Sequence, residues 1–193
     1  MKLNTLLIEF MTEELPPSSL KNLGEKFGQL IKEGLQDKGL IKDSDMVFFA
    51  TPRRLGVKIL NVAEKSENQK KLIKLMPAKI GFDENGKITK PLSKKLQSIN
   101  ETDQAISRVK IKDEKGQEIL FIEKNIPGIN LEDILSEIIN YCISQLPIKK
   151  MMSYQLEDGW TSVNFVRPIK NLLILHGEKI LKISALGFEA NNK

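Results

Sequence analysis

The chain opens on Asn4-Thr5-Leu6-Leu7-Ile8-Glu9-Phe10, an apolar run with one acid near its end. It predicts a strand apolar enough to lie inside a sheet rather than at its edge. Met11-Thr12-Glu13-Glu14-Leu15-Pro16-Pro17 then reads as a connecting loop, because neither proline can donate to a ladder. A helix is predicted from Pro17 or Ser18, since proline is tolerated in a first helical turn and serine caps well. Leu20, Leu23, Phe27, Leu30, Ile31 and Leu35 recur at steps of three and four and give it one apolar face, and Gly39 ends it.

Met46–Ala50 and Leu55–Val62 predict two strands joined across Thr51-Pro52-Arg53-Arg54. Residues 64–90 are lysine-rich and weakly periodic, with an Asp83-Glu84-Asn85-Gly86 turn, and read as a surface excursion. Pro91 to Ile99 predicts a short helix with Leu92, Leu96 and Ile99 on one side. Arg108–Lys112 and Glu118–Glu123 form a hairpin over Asp113-Glu114-Lys115-Gly116. A second long helix is expected from its cap Asn130 through Leu131, Ile134, Leu135, Ile138, Ile139, Cys142 and Ile143, closed by Pro147. The remainder reads as short strands around Met152–Tyr154, Ser162–Phe165, Leu172–Leu175 and Ile180–Ala185, the last two about a His176-Gly177-Glu178-Lys179 turn. Strand clusters separated by two main amphipathic helices predict an α+β fold with mixed or antiparallel sheets.

Composition narrows the class. At 193 residues and 40% hydrophobic content the chain suits one ordinary domain or two small ones with a real core. No window approaches eighteen uninterrupted apolar residues, so no membrane span is expected, and the opening apolar run is too short for a secretory signal. The lone Cys142 leaves no disulfide framework within the chain and no multi-cysteine metal site, so a cytoplasmic location is expected. The net charge of +5 comes from 30 basic and 25 acidic residues. Residues 61–124 hold 14 bases against 10 acids, a modestly positive middle that suits an anion such as RNA. Only four bases are arginines: Arg53, Arg54, Arg108 and Arg167. A planar guanidinium suits bidentate contact with carboxylate or phosphate better than a lysine does.

No phosphate-cradling glycine loop, no G-x-G-x-x-G and no G-x-S-x-G elbow occurs, so no catalytic, cofactor or metal residues are assigned. His176 reads as an exposed turn residue and Cys142 as a buried structural thiol. Pro52-Arg53-Arg54 puts at least one guanidinium outward, for phosphate or partner contact or for a structural pair with a carboxylate. Arg167, before Pro168, has the same two readings. Glu13-Glu14 suits a metal, a basic partner or the dipole of the helix that follows. Lys149-Lys150 is a solvated pair or a contact. The lysines of 65–95 serve solubility or RNA, and Trp160 stacks on a base or flanks a hairpin.

Four strings in order carry a family resemblance. Leu7-Ile8-Glu9-Phe10-Met11-Thr12-Glu13-Glu14-Leu15-Pro16-Pro17, Phe49-Ala50-Thr51-Pro52-Arg53-Arg54-Leu55, Leu146-Pro147-Ile148-Lys149-Lys150-Met151-Met152 and Phe165-Val166-Arg167-Pro168-Ile169 resemble successive motifs of the beta subunit of bacterial glycyl-tRNA synthetase. The resemblance implies that residues 1–193 are the N-terminal region of a longer subunit, with HD-type and anticodon-binding domains beyond it. It implies a B3/B4-like RNA-binding and assembly module, partnered by the alpha subunit in an α2β2 tetramer and by tRNA(Gly). The alpha subunit would carry the class II core that uses ATP and Mg to activate glycine, and this segment would hold no cofactor. Arg53, Arg54, Lys149, Lys150 and Arg167 become expected RNA or interface contacts, with Glu13 and Glu14 as a polar interface loop. Met152 stands where relatives commonly carry arginine.

Overall fold

The computed structural model describes residues 2–83, 87–99, 101–114, 116–148, 150–156 and 158–191. Along the chain run β1 (Leu3–Thr12), a 3₁₀ turn (Pro17–Ser19), α1 (Leu20–Asp37), β2 (Met46–Thr51), β3 (Arg54–Ala63), β4 (Gln69–Pro77), α2 (Ala78–Gly81) and α3 (Lys90–Ser98). A second 3₁₀ turn (Asp103–Arg108), β5 (Val109–Glu114), β6 (Gln117–Ile126), α4 (Leu131–Gln145), β7 (Met152–Gln155) and β8 (Ser162–Phe165) follow. The chain continues through β9 (Ile169–His176), β10 (Lys179–Ile180), β11 (Ser184–Ala185) and β12 (Phe188–Glu189). Every strand pairing given for these elements is antiparallel, and the α+β class follows. The chain divides into two compact units, residues 1–67 with 128–193, and residues 68–127.

The first unit is built on a five-stranded sheet of order β10-β9-β1-β3-β2. β1 lies inside it, as its apolar composition predicts. Alternation places Leu6, Ile8 and Phe10 on the helix-covered face, level with Leu55, Val57 and Ile59 of β3 and Leu172 and Ile174 of β9, all buried. α1 covers that face with Leu23, Phe27, Leu30 and Ile31, and α4 packs beside it with Leu135, Ile138, Ile139 and Cys142. Phe10 meets Phe27 edge-to-face with centroids 5.6 Å apart. The approach of α1 depends on its glycines. A Cβ on Gly24 or Gly28 would stand 2.8 Å from Phe48 or Met46 of β2, and one on Gly34 2.7 Å from Ile138 of α4. At the end of α1, Gly39 takes φ +68° while the Leu40 amide donates to the Leu35 carbonyl at 2.9 Å, a Schellman closure that a β-carbon would strain.

The second unit is a three-stranded sheet, β4-β6-β5, with a core of its own: Leu75, Leu92, Leu96, Ala105, Leu120 and Ile122. Leu92 and Leu96, one turn apart, form the buried stripe of α3. Gly81 ends α2 where a side chain would collide with Leu120. Thr89, just before α3, binds α2 back through its hydroxyl, which donates to the carbonyls of Ile80 at 2.7 Å and Gly81 at 3.1 Å.

Several expectations are corrected. Residues 64–90 are not merely a surface excursion: Gln69–Pro77 is a strand paired with β6. Its lysines hide the period, and only Ile73, Leu75 and Met76 near its end reach the small core. His176 is not an exposed turn residue. It is the last residue of β9, buried, in register with Leu6, and its Nε2 lies 2.9 Å from the Val62 carbonyl oxygen. The turn is shorter than the sequence suggests, so alternation continues through 172, 174 and 176. Neither long helix has a side-chain cap bond at its start. The Ser19 hydroxyl donates instead to the Pro16 carbonyl, closing the 3₁₀ turn. Ile180–Ala185 is not one strand but two short ones separated by a turn of chain. The tip of the predicted 83–86 turn lies outside the described residues.

Candidate functional site

Three of the four strings meet at one end of the five-stranded sheet, where β1 finishes and β3 and β9 begin. The backbone makes the junction. The Thr12 amide donates to the Arg53 carbonyl at 3.0 Å, the Leu15 amide to the Pro52 carbonyl at 2.6 Å and the Glu13 amide to the Pro168 carbonyl at 3.0 Å. Pro16, Pro52 and Pro168 all lie here because these segments leave the sheet, and a residue with no N–H is tolerated where the ladder stops.

Glu14 is the hub of the side-chain layer. Its carboxylate accepts from Arg53 Nη2 at 3.0 Å, and its main-chain carbonyl accepts from Arg167 Nε, 153 positions away, also at 3.0 Å. Arg167 Nη1 donates to the Val166 carbonyl at 2.9 Å and lies 3.4 Å from Met152 Sδ. Arg54 crosses diagonally from β3 to Glu9 of β1 at 3.0 Å, and Lys170 reaches Glu13 at 4.0 Å. The two arginine pairs differ in setting. Arg53 and Glu14 are each 72% exposed, whereas Glu9 is only 18% exposed, so the Arg54 pair is the less screened. The acids before α1 are therefore spent on these cations rather than on a helix dipole.

The third string joins through a groove of about 470 Å³ beside this junction, lined by Pro16, Asn22, Leu23, Ile148, Lys150 and Arg167 among others. Lys149 lies outside the described residues. Sequence reasoning did not find Asn22, on the exposed side of α1, or Tyr154. The Tyr154 hydroxyl accepts from the Ile169 amide at 3.4 Å and ties the β7–β8 hairpin to the start of β9, and burial raises its pKa. Asn22 gives no sequence signal because it becomes part of the groove only when Pro147 and Val166 arrive beside it.

Beyond the groove, the β7–β8 hairpin presents Trp160, 90% exposed. Asp158 holds that turn. One carboxylate oxygen accepts the amides of Trp160 and Thr161 at 2.9 and 2.8 Å, and the other accepts the Thr161 hydroxyl at 2.5 Å. Those bonds, the Thr161 hydroxyl first, hold the Asp158 carboxyl below its usual pKa. The nucleophile-type side chains lie elsewhere. The Cys142 thiol is buried on α4 against the Phe27 carbonyl, and burial pushes its pKa up to about 12. Among the described residues no three of His, Cys, Asp and Glu gather to hold a metal ion, and no helix is long and apolar enough to cross a membrane.

At the sheet end, internal ion pairs hold loops and strand ends around an open groove of mixed apolar and polar lining. Sequence comparison then gives the family. The chain belongs to the glycyl-tRNA synthetase beta subunit family, whose model matches residues 6–193. The glycine–tRNA ligase beta subunit of Janthinobacterium sp. (strain Marseille) is 42% identical over 193 residues, all of this chain and 28% of that protein. Its counterpart from Nitrosomonas eutropha is 43% identical over the same span, 27% of its length. The chain thus spans little more than a quarter of the curated relatives it matches.

Proposed function

We propose that this chain serves glycyl-tRNA synthesis as part of a glycine–tRNA ligase beta subunit, docking the ligase subunits and positioning tRNA(Gly) while the alpha subunit activates glycine with ATP and Mg. The observation that carries the docking half is the groove beside the Glu14 hub. Its wall combines apolar Leu23, Ile148 and Val166 with Asn22, Lys150 and Arg167, a mixture that suits a protein surface better than a phosphate backbone. Arg53, Arg54 and Arg167 already donate to acceptors of this chain, which favours an assembly role for them over direct RNA contact. Lys150, and Lys149 with it in sequence, remain the candidates for an acidic feature of the partner.

The test uses the complete beta subunit with its alpha subunit. Asn22→Arg, at an exposed residue, and Ile148→Asp, at one packed partly against the core, both alter the groove, and unchanged circular dichroism shows the fold intact. Association with the alpha subunit should weaken at least tenfold and aminoacylation fall with it, while the salt dependence of tRNA binding stays that of the parent. Unchanged association and unchanged aminoacylation would overturn the docking role. A parent subunit that binds no tRNA would overturn the RNA role.

A further inference from the structure

The basic surplus of the chain has a single address. Residues 68–127, the second compact unit, hold thirteen bases and eight acids, and the rest of the chain holds seventeen of each. The whole net charge of +5 therefore sits on one 60-residue unit. Within that unit the charges are used in two ways. On the strands and the turn before them, Lys70 and Lys110 pair with Glu123, Lys74 with Glu114 and Arg108 with Glu101, Lys124 donates to the Ile99 carbonyl, and only Lys71 and Lys112 are exposed without a carboxylate partner among the described residues. The helical side differs: Lys79 of α2 and Lys90, Lys94 and Lys95 of α3 are exposed and have no carboxylate partner among the described residues.

Their placement follows from the core. Leu92 and Leu96 turn one face of α3 inward, which leaves Lys90 and Lys94, one turn and about 6 Å apart along the axis, on the opposite face, with Lys95 on its flank. The Thr89 hydroxyl, bound to the Ile80 and Gly81 carbonyls, holds the Lys79–Ile80 step beside the start of α3. Lys79 and the three lysines of α3 thus stand on the helical side of the unit, none with a carboxylate partner among the described residues. Lys79 and Lys95 stand in the last turns of α2 and α3, where the helix dipole favours a cation, but the like charges of Lys90 and Lys94, four apart on a short helix, oppose its formation. Lysines are point charges without the planar fork of arginine, suited to neutralising phosphates rather than reading bases.

We propose that this lysine face of the second unit is the RNA-backbone contact of the chain, binding phosphates without sequence selectivity. The inference rests on the tRNA half of the function proposed above and moves its electrostatics away from the arginine strings. Binding of the full 193-residue chain to a tRNA(Gly) transcript and to a 20-base-pair RNA duplex of arbitrary sequence, each over a range of salt, tests it. Replacing Lys79, Lys90, Lys94 and Lys95 by Gln should lower the slope of log K against log salt by about one for each lysine that meets a phosphate, two to four in all, for both RNAs. The corresponding Lys→Arg variant, which keeps the charge, should restore it, and unchanged circular dichroism shows the fold intact. An unchanged slope in the Gln variant overturns the inference alone. So does a Gln variant that loses affinity only for polyglutamate, which would assign the face to an acidic protein. If the parent chain binds neither RNA, the RNA reading and this inference fall together.

Discussion

At the sheet end of the first unit, Arg53, Arg54 and Arg167 all donate to acceptors of the same chain, whereas the helical side of the second unit presents four lysines with no carboxylate partner among the described residues. The first region holds five cations, Arg53, Arg54, Lys150, Arg167 and Lys170, against Glu9, Glu13 and Glu14, and three strand ends are fixed by what those groups do to each other. Charge there organises loops. In the second unit charge is left over after the sheet has used what it needs, and leftover charge of one sign acts at a distance on a polyanion. Abundance of a residue type is thus a poor guide to its use. The scarce arginines are the ones committed to structure, and the common lysines supply the free positive surface.

The largest effects should come from the separate cores. Phe10→Ala removes the ring that meets both Phe27 and Phe165, at centroid distances of 5.6 and 6.3 Å, and should cost about 3–5 kcal/mol. Leu120→Ala in the second unit should cost about 2–5 kcal/mol. Amide hydrogen exchange sharpens the contrast between units: Phe10→Ala should loosen β1 and β3 first, and Leu120→Ala β4 and β6 first. Equal loosening of both units by either substitution would break the division.

Burial of the Cys142 thiol predicts a slower, chemical signature. Its pKa, pushed up to about 12, means that the fold favours the neutral thiol. The stabilisation is complete below the unfolded thiol value of about 8.5 and is lost as pH climbs toward the folded one. Melting temperature should therefore fall with pH above about 9, less so in Cys142→Ala measured against its own neutral-pH value, and modification by a thiol reagent at pH 8 should await unfolding.

Within the first unit the two arginine pairs can be ranked. A double-mutant cycle for Arg54 and Glu9 should give a coupling of about 0.5–1 kcal/mol, because Glu9 is shielded by the sheet. The Arg53–Glu14 cycle should give only about 0.2–0.5 kcal/mol, since both groups stand in solvent. The reverse order would mean that the hub, not the strand, carries the load. The smallest effect concerns the Trp160 turn. Asp158 has its pKa held down, so the turn is intact above the ordinary aspartate range and should loosen as pH falls through and below it. The emission of Trp160 reports this directly, and Asp158→Asn should abolish the acid step.

The helices and most strands were legible because their signals are local. β1 carries a run of apolar residues, α1 a stripe at steps of three and four ending in Gly39, and the β5–β6 hairpin its turn residues. β4 was missed because a strand with lysines at 70, 71 and 74 meets its small core only through Ile73, Leu75 and Met76 near its end. His176 was misplaced because the turn signal of Gly177 spread one residue too far back along β9. At the sheet end the strings could be recognised and their arginines singled out, but nothing local says which acceptor a guanidinium will find 45 or 153 positions away. The positive middle was visible in the sequence, and what the fold adds is its boundary. Residues 68–127 become a unit only when β4 pairs with β6, and the count of charges has meaning only within that boundary.

The most direct test of this division of labour is a lysine-modification footprint of the unaltered chain, read by mass spectrometry with and without saturating tRNA(Gly) transcript. The account predicts that Lys79, Lys90, Lys94 and Lys95 are protected by RNA while Lys21 and Lys42, exposed in the first unit, react as in the free chain. Protection confined to Lys150 and the sheet end, with the four lysines of the second unit still fully reactive, would contradict it.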